Sequence, residues 1–113
     1  MANTYLVQVG YTPEAWSSLI AQPQDRVEAV RPAIEKMGGK ILHGWFAFGD
    51  YDLVMVVDMP GNVEAAALSL AAAAGGAVRT IKTTPLLSMA EGVEAMKKAG
   101  KSGYKAPSQA AHA

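Results

Sequence analysis

Residues 45–60 read WFAFGDYDLVMVVDMP. Two apolar runs flank a polar knot, Gly49-Asp50-Tyr51-Asp52, and the reading of that knot decides the fold. Runs rich in Val, Phe, Trp and Tyr on both sides of a Gly-Asp pair are the signature of a β-hairpin. KILHGWFAF (40–48) and YDLVMVVDM (51–59) are therefore expected as two strands joined at Gly49-Asp50. The second is apolar on both faces from Leu53 to Val57, which suits a central strand.

Working outward, TYLVQV (4–9) reads as a first strand bounded by Gly10. Thr12 and Pro13 then open a short helix that Pro23 ends. QDRVEAVRPAIEKMGGK (24–40) is the clearest helix. Asp25 and Glu28 have capping-box spacing, Val27, Val30, Ile34 and Met37 form one apolar stripe, and Gly38-Gly39 stops it. Pro32 removes a backbone donor and is expected to bend this helix near Glu28. After the hairpin, GNVEAAALSLAAAAGG (61–76) reads as a second main helix, with Asn62 as N-cap and Gly75 as stop. AVRTIKTTP (77–85) is the last strand. A further helix is expected over 89–99, with Ser88 and Glu91 in capping-box spacing.

The order β-α-β-β-α-β predicts an α+β, ferredoxin-like antiparallel sheet with both helices on one face, plus a C-terminal helix. The domain is expected over residues 1–100, with 101–113 as a mobile tail. Both strand faces carry apolar groups: Leu6, Leu42, Phe46 and Leu53 alternate with Val7, Val9, Ile41, Trp45 and Val54. One face suits the helices. The other would leave an apolar patch too large for a monomer, so a homo-oligomer paired through the open sheet face is expected.

With 113 residues the chain holds one domain. Ten basic and ten acidic residues cancel, which leaves no field to attract nucleic acid. The absence of cysteine excludes disulfides, thiolate metal sites and cysteine nucleophiles. No apolar run approaches the roughly 20 residues of a membrane span, and the first residues lead directly into a strand. These features point to a soluble, cytoplasmic protein without membrane contact.

GDYDLVMVVDMP (49–60), followed by an alanine-rich helix and GAVRTIKTTPLLSM (76–89), resembles the GYD domain family. TYLVQVGYT (4–12), EKMGGKI (35–41) and EAMKKAGKSGYKAP (94–107) also look like that family. The resemblance implies a small ferredoxin-like protein of the dimeric α/β-barrel kind, a group that includes cofactor-independent monooxygenases, haem-binding enzymes and ligand sensors. It carries over no activity.

Candidate chemistry is sparse. His43 is the single histidine of the expected fold, on the same face as Ile41 and Trp45 by strand alternation. It suits an acid, a base or an axial ligand, but no second histidine completes a metal site, which favours an ordinary strand histidine. His112 lies in the tail. Asp52 and Asp58 share a face by parity, and Asp52 could orient His43 across the hairpin or accept hydrogen bonds within the turn. Tyr51 suits a pocket rim or a subunit contact. Arg79 and Lys82 could hold an anion, or protect an edge strand by charge. No metal or cofactor is expected. Two functional classes follow. One is a homo-oligomeric module that binds a small molecule or docks on a partner protein. The other is a small cofactor-independent enzyme, monooxygenase- or isomerase-like, with His43 as acid or base and Asp52 or Tyr51 assisting.

Overall fold

The computed structural model describes residues 3–107. Residues 108–113 of the expected tail, His112 among them, lie outside them. The elements are β1 (Asn3–Tyr11), α1 (Pro13–Ala21), α2 (Arg26–Lys36), β2 (Lys40–Phe46), β3 (Leu53–Met59), α3 (Asn62–Ala74), β4 (Val78–Leu86) and α4 (Met89–Gly100). The four strands form one antiparallel sheet in the order β2-β3-β1-β4. This is the expected α+β, ferredoxin-like arrangement. β3 is central, and β4, with Pro85 and its charged residues, is an edge.

The core lies between the sheet and the helices. Tyr5, Val7, Val9 and Tyr11 of β1 alternate into it, as do Leu53, Met55, Val57 and Met59 of β3. Ile34 of α2 and Ala65 of α3 close over them. Directly paired residues share a face, so Val9 opposite Leu53 is core, whereas Leu6 opposite Val56 and Gln8 opposite Val54 look outward. The expected grouping of Leu6 with Leu53, and of Val9 with Val54, is therefore incorrect.

β2 departs from simple alternation. Ile41 pairs with Val57 and His43 with Val56, so a bulge at Leu42 shifts the register by one residue. Ile41 faces the core, while His43 and Trp45 face the open side. The expectation that these three share a face fails for this reason. Beyond the bulge Gly44 points at α2, where a methyl group would fall 2.5 Å from Val27 Cγ2. The glycine lets α2 lie close to this edge strand.

The helix ends show where local signals held. Thr12 Oγ1 accepts from Ala15 N and Asp25 Oδ1 accepts from Glu28 N. The reciprocal half of a capping box at Asp25 is absent, because Glu28 pairs with Arg31 at 2.7 Å. At the end of α2, Gly38 has φ +86°, its N–H reaches Glu35 O, and Gly39 N–H reaches Ile34 O. This is a Schellman ending. α2 runs unbroken from Arg26 to Lys36 with Pro32 inside it. α3 is capped by Gly61, not Asn62. Asn62 Oδ1 instead accepts from the buried Tyr5 hydroxyl at 2.6 Å and ties the helix start to β1. α4 has the full Ser88–Glu91 capping box. It buries none of its residues, and its Met89, Val93 and Met96 form an exposed stripe.

Ile34 is fully buried at the centre of this layer. Ile34→Ala should destabilise the domain by about 2–5 kcal/mol through lost burial and the cavity left behind, read as a lowered urea midpoint with an unchanged slope.

Candidate functional site

The polar knot is not a two-residue turn. The strands stop at Phe46 and Leu53, and the six residues between them form the connection. Ala47 N–H donates to Asp52 O at 2.7 Å, closing the loop, and Gly49 takes φ +144°, a conformation open to glycine. Phe48 at the tip is fully exposed.

Asp52 joins this loop to the rest of the fold. Its backbone N–H donates to Val9 O at 2.8 Å, continuing the β1–β3 ladder past the last strand residue. Its carboxylate then takes the next place in that ladder. Oδ2 accepts from Tyr11 N–H at 2.8 Å and from Trp16 Nε1 at 3.3 Å. Asp52 is the one buried charged residue among the described residues. Each donor it meets is a group that would otherwise be costly to bury. Tyr11 and Trp16 pack edge to face at 5.6 Å, and Phe46 lies against Trp16 at 6.4 Å, so an aromatic cluster covers the carboxylate.

Arg79 of β4 approaches from the other side. Its guanidinium donates to Asp50 O at 2.8 Å and stands 4.0 Å from Asp52 Oδ2. It crosses β1 at Gly10, where a methyl group would sit 2.7 Å from the guanidinium carbon. Gly10 therefore marks the passage of Arg79, and β1 runs through it to Tyr11 instead of stopping there. The loop is held by β1, α1 and β4 together.

A family model for the GYD domain matches residues 5–103. The chain belongs to the GYD domain family. Gly49, Asp50, Tyr51 and Asp52, the residues that resemble the family's naming stretch, are the loop just described. No curated protein and no solved structure matches the chain.

The other candidates in this GYD domain lie apart from one another. His43 stacks on Trp45, with ring centroids 5.6 Å apart and an interplanar angle of 14°. Both line a shallow groove of about 480 Å³ along the β2 edge, with Asp25, Glu28 and Arg31 of the α2 segment on its far wall. The cross-strand partner of His43, Val56, is four residues from Asp52, about 13 Å along a strand. The carboxylate of Asp52 is turned instead toward Tyr11 and Trp16, so the expected His43–Asp52 pair does not form. Asp58 stays on the open face and accepts from Thr4 Oγ1 at 2.6 Å. Lys82 is exposed on the open face opposite Gln8, and Tyr51 is half-buried in the loop.

The residues that sequence reasoning missed are Tyr11, Trp16 and Gly10. Tyr11 is buried, and its hydroxyl is raised above the ordinary tyrosine range, first by burial, against the lowering influence of nearby Arg26. The signal was an aromatic directly after a strand glycine, but nothing local in the sequence ties it to an aspartate 41 residues away.

Asp52→Ala leaves the Tyr11 N–H buried without an acceptor and should cost about 1–3 kcal/mol. Arg79→Gln removes a half-exposed charge at longer range and should cost no more than about 1 kcal/mol. Urea unfolding of the two variants gives the comparison, and equal losses would contradict this ranking.

Proposed function

We propose that this GYD domain works as a homo-oligomeric binding module whose open sheet face pairs with a second copy. The observation that carries this reading is the composition of that face. The partly exposed Leu6, Val54 and Val56 stand together on it with the exposed Trp45, and among the described residues no element packs over them. Large contiguous apolar surface of this kind marks an interaction site. The polar groups between them, Gln8, Thr84, Lys82 and the Thr4–Asp58 pair, are spaced so that a second sheet would meet hydrogen-bonding groups as well as apolar ones. The stripe on α4 is a second unpartnered surface that association would cover.

The enzymatic alternative uses His43 as acid or base. Its support is the groove that His43 shares with Glu28 and Arg31. It draws less support than the binding reading because the expected orienting carboxylate, Asp52, is engaged elsewhere.

Light scattering and sedimentation should show a dimer or larger assembly at micromolar concentration. Val56→Lys, which places a charge in the middle of the open face, should shift the protein toward monomer while its circular dichroism is retained. A wild-type monomer at these concentrations would overturn the reading.

A further inference from the structure

On the opposite side of the sheet from the proposed self-association surface, α2 and α3 stand apart. α2 lies over β2, and α3 lies over β3 and β4. The space between them is a cleft of about 350 Å³, within the range of small-molecule pockets. Its floor is the core face of the sheet: Val7, Val9, Met55 and Ile81. One wall is Val30 and Ala33 of α2 with Met37 at its C-cap, and the other is Leu68, Ala71 and Ala72 of α3. The opening exists because α3 presents alanines there. Their side chains end at Cβ, so the facing helix is not reached.

The side-chain polar groups of this cleft are confined to one end, where Tyr11 and Arg26 line it. Among the described residues Arg26 has no carboxylate partner. Its guanidinium donates from Nη1 to the Gln24 side-chain oxygen at 2.8 Å. The neighbouring carboxylates are taken: Asp25 caps α2, Glu28 pairs with Arg31, and Asp52 holds Tyr11 N–H and Trp16. A guanidinium carries five N–H donors in a planar fork, so Arg26 retains donors for an anion. The Tyr11 hydroxyl beside it stays protonated at neutral pH and adds another donor. From Arg26 to Met37 the wall extends eleven residues along α2, about 16 Å at helical rise. That is room for an extended apolar body behind a charged head.

We propose that this cleft binds a small amphipathic monocarboxylate, with its apolar body between α2 and α3 and its carboxylate on Arg26 and the Tyr11 hydroxyl. The site is independent of the self-association reading, since it uses the other face of the sheet. A neutral apolar molecule would fill the cleft and leave Arg26 unused. A dianion would bring a second charge with no partner.

The test uses decanoate below its micellar concentration, with 1-decanol as the neutral control. Methyl NMR of the full chain follows the alanine, valine, leucine and methionine signals during each titration. Decanoate should shift Ala33, Ala71, Ala72 and Met55 in a saturable manner. Arg26→Gln should weaken decanoate binding about tenfold or more and leave decanol nearly unchanged. Ala72→Phe should fill the cleft and abolish both, and Ala33→Leu provides the same block from α2 if Ala72→Phe does not fold. Val56→Lys should bind decanoate as the wild type does. The proposal is overturned if decanoate does not saturate these signals, if its shifts are confined to the open face, or if Arg26→Gln binds it undiminished.

Discussion

The Asp52 carboxylate is the constraint on which the arrangement of this domain rests. A β-ladder needs a backbone acceptor opposite each inward N–H, and β3 runs out one step before β1 does. Asp52 makes the last backbone contact through its own N–H to Val9 and supplies the next acceptor, for Tyr11, from its side chain. The same oxygen receives Trp16 Nε1, which fixes α1 against the end of β1. One residue thus sets the length of the central strand pair, the exit of the hairpin loop and the seat of the first helix. Arg79 reinforces this from β4, mainly through the neutral Asp50 carbonyl, because its 4.0 Å separation from the carboxylate and its exposure make the charge pairing weak.

This is why the architecture was legible in the sequence while the role of its most distinctive motif was not. Apolar periodicity and glycine, proline and threonine punctuation marked all four strands and the main helices, because each signal acts within a few residues. The register of β2 was not legible. A bulge at Leu42 leaves no mark in a run such as KILHGWF, and it reverses the face of every residue after it. His43 was consequently placed beside Ile41 when it belongs with Trp45 alone. Asp52 was legible only as a loop aspartate. Its partners at Tyr11, Trp16 and Arg79 come from two other strands and a helix, and only the folded sheet brings them together.

The two faces of the sheet divide the remaining possibilities. The open face presents branched aliphatic residues, Trp45 and a few polar groups, the composition on which the proposed self-association rests. The helical face is concave where α2 and α3 diverge, and its polar groups are gathered at one end, a shape suited to a small molecule. His43 lies at the margin of the open face. It stacks on Trp45 at the β2 edge, beside a groove that Glu28 and Arg31 of α2 also line.

α3 carries the strongest argument that the cleft is more than a packing accident. Its sequence, NVEAAALSLAAAA, reads as a helix made for close approach, yet only Ala65 is buried in the core. Ala71 and Ala72 face the gap. A larger apolar side chain at the half-buried Ala72 would bury additional apolar surface, at about 25 cal/mol per Å². A fold selected only for stability would be expected to close this space from one wall or the other. Small residues lining a gap, with an arginine at its end that has no carboxylate partner among the described residues, suit the proposed occupant.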